Sequence, residues 1–253
     1  MKLVLISDTH QRHKYLRMPK GDVLVHAGDF CSHGNYEEVK RFGDWLRTLD
    51  YHHILFIAGN HDKTFEFDLE KSLKLIPEET ITGGKIHYLQ DGYIVLQGVK
   101  FYGSPWQPRF YNWAFNLTRG GSALRKKWKR IPNDTDVLIT HCPPHGILDK
   151  TDFKNENIGC KMLFDRVTDI KPRLHVFGHC HAGYGMNYHL LAGTDFINAA
   201  IVNDWHYITN LPVEYEEDFD GNELRRNEPG PEGTPESTEG AGKKGDGFIG
   251  EGI

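Results

Sequence analysis

Lys2-Leu-Val-Leu-Ile-Ser-Asp8-Thr-His10 is an apolar run that stops at a carboxylate, with an imidazole two positions on. The same event recurs along the chain. Val23-Leu-Val-His-Ala-Gly-Asp29 ends in Gly-Asp, and Ile54-Leu-Phe-Ile-Ala-Gly-Asn60-His61-Asp62 ends in an amide, an imidazole and a carboxylate. Val137-Leu-Ile-Thr-His141 ends in a histidine, and Leu174-His-Val-Phe-Gly-His179-Cys-His181 ends in two. One acid after a strand is commonplace, because Asp also caps helices and starts turns. Five buried strands that each deliver a metal-ligand type at the C-terminal end are hard to assign to packing. Open α/β sheets place their sites at that end.

Between these runs the pattern alternates. Val39, Phe42, Trp45, Leu46 and Leu49 fall at helical spacing, which predicts a helix over 36–49. A second is expected over 67–75, ended by Pro77. Strand, helix, strand with short joins points to a parallel sheet and an α/β class. From Gly83 three short β-rich runs, Ile86-His-Tyr-Leu, Tyr93-Ile-Val-Leu and Val99-Lys-Phe-Tyr, are separated by turns and read as an antiparallel meander. An aromatic loop with Trp106, Phe110, Tyr111 and Trp113 follows. Helices are expected over 122–129 and 160–170, and closing strands over 195–202 and 213–215. Residues 1–220 read as one domain. The 33 residues of 221–253 hold nine Gly, three Pro and few apolar side chains, and are expected to be a disordered tail.

The 253 residues carry a net charge of −5, which argues against general affinity for nucleic acid. No apolar run approaches the ~18 residues of a membrane span. The four cysteines include no C-x-x-C pair, and the N-terminus lacks a signal peptide's apolar core. Reduced, buried thiols and a cytoplasmic location are the expectation.

Asp8, His10, Asp29, Asn60, His141, His179 and His181 offer carboxylate, amide and imidazole ligands and need no thiolate. Manganese leads a set that includes iron, zinc, cobalt and nickel. Seven ligands exceed the needs of one tetrahedral ion and suit two ions sharing a carboxylate, an arrangement that clamps both oxygens of a phosphoryl transfer.

Asp8-x-His10, Gly28-Asp29-x₄-Gly34, Gly59-Asn60-His61-Asp62, His141 and Gly178-His179-x-His181 resemble, in order, the signature of the calcineurin-like metallophosphoesterases. The likeness spans about residues 2–201, and the last strands carry it to about 216. Gly103-Ser-Pro-Trp-Gln-Pro, Phe115-Asn-Leu, Ile139-Thr-His-Cys-Pro-Pro and Pro172-Arg-Leu-His-Val-Phe-Gly-His-Cys-His-Ala-Gly-Tyr-Gly are similar to one branch, the metallophosphoesterase-domain-containing proteins related to class III cyclic-nucleotide phosphodiesterases. The resemblance implies an αββα sandwich of two mixed sheets. It implies that Asp8, His10 and His181 hold one ion, that Asn60, His141 and His179 hold a second, and that Asp29 bridges. A hydroxide between the ions would attack phosphorus, His61 would protonate the leaving group, and Asp62 would orient His61.

In phosphoprotein phosphatases of this superfamily the second block continues to an Asp-Arg pair whose arginine grips the phosphate. Here it reads Gly28-Asp29-Phe-Cys-Ser-His33-Gly34, and the third block ends in Asp62 where those enzymes have Glu. Both departures lean toward diesters. The flat faces of the aromatic loop suit a nucleobase, so cyclic nucleotides are the expected substrates, with the strained 2′,3′-ring opened more readily than the 3′,5′. Trp106 and Trp113 are taken as a base platform, although aromatics are more often core, and His33 and His145 as further substrate contacts. His26, inside a strand, reads as a core histidine. A phosphomonoesterase and a binding protein on a retired scaffold are the alternatives, and the oligomeric state stays open.

Overall fold

The computed structural model of the chain describes residues 1–151, 156–216 and 218. Expectations for the 221–253 tail therefore lie outside the described residues.

Period-two alternation in the first strand sets the layering. In β1 (Lys2–Ile6), Leu3 and Leu5 point one way and Val4 and Ile6 the other, and all four are buried. A strand buried on both faces belongs in the middle of a sandwich. β2 (Val23–His26), β3 (His53–Phe56) and β4 (Lys85–Tyr88) follow it in parallel register. β5 (Gly92–Leu96) and β6 (Val99–Ser104) form a hairpin, and β7 (Gln107–Pro108) pairs with β8 (Asn116–Leu117). β9 (Val137–Thr140), β10 (Leu174–Phe177), β11 (Gly185–His189), β12 (Thr194–Asn198) and β13 (Val213–Glu216) complete the strands. One sheet runs β13-β1-β2-β3-β4 and the other β11-β12-β10-β9-β6-β5.

The two sheets face each other across a core of Leu3, Leu5, Val25, Leu55, Phe101, Ile139 and Val176. Outside the first sheet, α1 (Tyr36–Arg47) packs Val39, Phe42 and Leu46 against Val4, Ile6 and Phe56. Outside the second, α4 (Ser122–Lys129) and α5 (Lys161–Ile170) pack Leu124, Trp128, Leu163 and Val167 against Leu138, Phe177 and Phe196. The expected αββα sandwich of two mixed sheets is what forms. No described helix is long and apolar enough to cross a membrane. All four cysteines are free and buried.

Three local expectations change. The meander does not exist: β4 joins β3 in the first sheet, while β5 and β6 belong to the second. The chain crosses between sheets at Asp91, whose carboxylate accepts from Ser104 Oγ and Trp106 Nε1 and pairs with Lys127. The expected 67–75 helix is two short ones, α2 (Lys63–Phe67) and α3 (Leu69–Leu73), because Asp68 leaves helical geometry and caps Lys71 N. The edge strand β11, which has no apolar run, was not expected.

Candidate metal centre

The sheets meet at the C-terminal end of β1. Ser7 N donates to Ala199 O at 2.8 Å, and Ile201 N donates to Ser7 O at 2.9 Å. The five ligand-bearing strand ends converge there. Asp8, His10, Asp29 and His179 all take left-handed backbone, with φ of 50°, 39°, 57° and 64°. That conformation is uncommon for a residue with a Cβ, and it persists only where the surroundings enforce it. Asp8 N donates to Gly28 O at 2.9 Å, His10 N to Asp29 O at 3.0 Å, and His179 N to Asp8 Oδ2 at 2.9 Å. The glycine before three of the ligands has a steric reason. A Cβ on Gly178 would lie 1.9 Å from Asp8 Oδ2, and one on Gly59 would lie 2.3 Å from Asp29 Oδ1. On Gly28 it would meet His141 Nδ1 at 2.7 Å.

Three overlapping groups have their ligand atoms within 4.8 Å of one another: Asp8, His10 and His181; Asp29, His141 and His179; and His10, Asp29 and His61. Asp29 Oδ2 is 3.3 Å from His141 Nε2 and 3.8 Å from His10 Nε2, so one oxygen faces both halves of the site. His141 Nε2 is 3.1 Å from Asn60 Oδ1, and His181 Nε2 is 3.4 Å from Asp8 Oδ1.

The donor set fits divalent ions. His10 is buried with neither ring nitrogen hydrogen-bonded, a costly state that a ligated cation would relieve. His141 Nδ1 lies 2.9 Å from Ala27 O and donates to it, which leaves the lone pair of Nε2 free for a cation. The charges agree. Burial opposes ionisation of Asp8, but His181 and His141 hold its carboxyl well below the usual range. Burial likewise opposes Asp29, and His141 and His61 overcome it. Burial also opposes the cation on His141, yet Asp29 and Asp8 raise it to about 9. His181 rises against burial to about 10 through Asp204 and Asp8. Burial holds His10 well below its ordinary value and His179 at about 3.

His61 Nδ1 donates to Ser32 O at 2.7 Å, which leaves Nε2 for the cleft. Its backbone N donates to Asp29 Oδ1 at 2.7 Å. Asp62 does not orient it. The Asp62 carboxylate is fully buried and accepts from Gly59 N at 2.7 Å, Asp29 N at 2.8 Å and Cys31 N at 2.8 Å. Its work is to tie the Asp29 loop to the Asn60 loop. Burial and the Asp29 charge push its carboxyl upward, against the pull of the Gly59 and Cys31 amides.

A cleft of about 390 Å3 opens over these groups, lined by Asp29, Asn60, His61, His179 and His181 together with Phe110, Tyr111, Thr151, Cys180, Ala182, Glu156, Ile158 and Asp204. No lysine or arginine lines it among the described residues. The aromatic loop divides. Phe110 meets His179 edge-on at 5.0 Å, and Phe110 and Tyr111 form a wall. Trp113 stacks on His61 at 4.0 Å with Lys63 Nζ over its ring, so it backs the His61 imidazole and does not line the cleft. Trp106 is turned away, its N–H on Asp91 and its ring under Lys127, so it is no base platform. His33 points to solvent beside Glu38, and His145 lies near Asp149; neither lines the cleft. His26 is a core histidine, accepting from Gly28 N and bonded to Thr9 Oγ1.

Asp204 and His206 were missed. Asp204 Oδ1 is 3.3 Å from His181 Nδ1, and the His206 ring lies flat on His10 at 3.9 Å. The signal was available, because the apolar run to Val202 ends in Asn203-Asp204-Trp205-His206, another acid-x-His after a strand.

The calcineurin-like phosphoesterase family model matches residues 1–183. Metallophosphoesterase domain-containing protein 1 of Homo sapiens is 42% identical over 231 residues, covering 84% of this chain and 69% of that protein. A UPF0046 protein of Caenorhabditis elegans is 38% identical over 220 residues, covering 84% and 74%. The crystal structure of TT1561 of Thermus thermophilus superposes with a TM-score of 0.54 at 12% identity, over 78% of this chain and 88% of that one, a likeness of fold.

Proposed function

The chain belongs to the calcineurin-like phosphoesterase family, and from that premise we propose that it is a binuclear phosphodiesterase acting on small nucleotide-like diesters. Family membership supports metal-dependent phosphoester hydrolysis. The observation that carries the narrower reading is the negative charge that Glu156 and Asp204 bring to the cleft wall beside the candidate ligands. A phosphomonoester dianion needs cationic grip beyond the metals, whereas a diester monoanion needs less.

Two divalent ions, manganese first, would neutralise the phosphate and lower the pKa of the attacking water. Asp8, His10 and His181 would hold one, and Asn60, His141 and His179 the other, with Asp29 between. The remaining chemistry belongs to the chain. Because His61 Nδ1 already donates to Ser32 O, its Nε2 gives a proton to the departing alkoxide only when the ring is doubly protonated. Trp113 stacked behind it fixes the ring plane. Phe110 and Tyr111, not the tryptophans, offer the flat surface for a base, a contact worth about 1–3 kcal/mol. Ring strain favours 2′,3′-cyclic nucleotides over the 3′,5′ isomers. Four free buried thiols support a cytoplasmic setting.

The test is turnover of bis(p-nitrophenyl) phosphate against p-nitrophenyl phosphate, with and without Mn(II). Faster, metal-dependent cleavage of the diester is expected. Preference for the monoester would identify a phosphatase, and metal-loaded protein that turned over neither would be a binding protein.

A further inference from the structure

We propose that Asp204 is a positioning residue of the metal centre, holding the Nδ1 side of His181 so that the Nε2 side meets Asp8. The inference rests on the two-ion reading above. His181 stands between two carboxylates, with Asp8 Oδ1 3.4 Å from Nε2 and Asp204 Oδ1 3.3 Å from Nδ1. A neutral imidazole has one N–H and one lone pair. A carboxylate at Nδ1 takes the N–H, fixes the tautomer and turns the lone pair of Nε2 toward a cation. The Nδ1 contact has the distance of an ion pair but not the angle of a hydrogen bond.

The turn that carries Asp204 is built to stay in place. Asn203 Oδ1 accepts from Trp205 N at 3.0 Å and Tyr207 N at 3.1 Å. His206 N donates to Asn203 O at 2.8 Å, and Asn203 N to Tyr207 O at 3.0 Å. From the opposite side Arg12 Nε donates to His206 O at 3.2 Å. His206, at φ 58°, then lies flat against His10, within 10° of parallel. A half-exposed acid in a loose turn would rotate freely. Here the backbone on both sides of Asp204 is tied down, and its neighbour two positions on packs against a second candidate ligand of the same ion.

The experiment is calorimetric titration of Mn(II) into metal-free wild type, Asp204→Ala and Asp204→Asn, with electron paramagnetic resonance of free Mn(II) as a second readout. Wild type should bind two ions; fewer would refute the two-ion reading itself. Given two, Asp204→Ala should weaken one binding event by about 10–100-fold and leave the other within about threefold. Asp204→Asn, whose amide oxygen still accepts from Nδ1, should lose less at that same event. Less than a threefold change at both events, or an equal drop at both, would overturn the proposal, since general loosening does not choose one site. If Asp204→Ala does not fold, Asp204→Asn decides: a loss confined to one event supports the assignment, and two wild-type affinities overturn it.

Discussion

Replacing Asp62 by Ala should damage the fold and both metal sites at once. The carboxylate accepts from the backbone N–H groups of Asp29, Cys31 and Gly59, all within 2.8 Å, and no part of Asp62 reaches solvent. Truncation leaves three buried donors without an acceptor, at about 1–3 kcal/mol each. Two effects offset part of that. A carboxylate disfavoured by burial and by Asp29 is removed, and a water can enter the space. The net cost should be about 3 kcal/mol, which lowers the melting temperature by about 6–12 °C in a domain of this size. Asp62→Asn should cost less, because an amide oxygen in the place of Oδ2 still accepts from Asp29 N and Gly59 N. The assays are urea unfolding of metal-free protein and metal content after reloading, which should fall at both sites because the Asp29 and Asn60 loops share this tie. A variant within about 1 kcal/mol of wild type that kept its metals and lost only rate on alkoxide leaving groups would refute the reasoning. It would return Asp62 to a role behind His61.

Asp29→Asn should weaken both ions together by about tenfold or more, since a ligand matters at least as much as the groups behind it; elemental analysis of reloaded protein showing one site untouched would contradict a shared carboxylate. His61→Asn should lower rate on alkoxide leaving groups by about 10²–10⁴-fold and on p-nitrophenolate only slightly, with metal content unchanged; equal losses on both would count against proton donation. Acid should destabilise the metal-free fold below pH 6.5. Burial holds His26 and His175 at about 3 and His13 at about 4, so each binds a proton more readily unfolded than folded. Their contribution is complete above pH 6.5 and is lost as pH falls toward 4, at about 1.4 kcal/mol per pH unit for each. His141 and His181, raised to about 9 and about 10, stay protonated in the fold, so they oppose this slope near pH 6.5, where unfolded histidines are half protonated, and add none below about pH 5.5. His175→Gln should reduce the slope of urea stability against pH between 6 and 4.5 by about one histidine's share; an unchanged slope would show that His175 is not a buried neutral ring.

The centre was legible because its candidate ligands follow directly on buried strands, and Gly28, Gly59 and Gly178 each precede one of them, although the group each glycine makes room for comes from another strand end. The two-sheet core was legible for a related reason, since β1, β2, β3, β9 and β10 are mostly apolar runs with side chains buried on both faces. What failed was long-range. Alternation marks Ile86 and Tyr93 as β-forming, but nothing local says that β4 pairs with β3 and leaves β5 to the other sheet. Asp62 was assigned to its neighbour His61, whereas its partners include Asp29 and Cys31, more than thirty residues earlier. Trp106 and Trp113 sit seven positions apart in one loop and have unrelated surroundings, one on Asp91 and the other on His61. Asp204 repeats the pattern that identified Asp8, but its strand was read only as a closing element of the fold.

The central claim is that this strand-end cluster holds two ions astride Asp29. Anomalous diffraction from Mn(II)-loaded crystals measures it directly. The account predicts two manganese peaks, one among Asp8, His10 and His181 and one among Asn60, His141 and His179, with Asp29 in contact with both. A single peak, or a second one away from Asp29 in fully active protein, would contradict it.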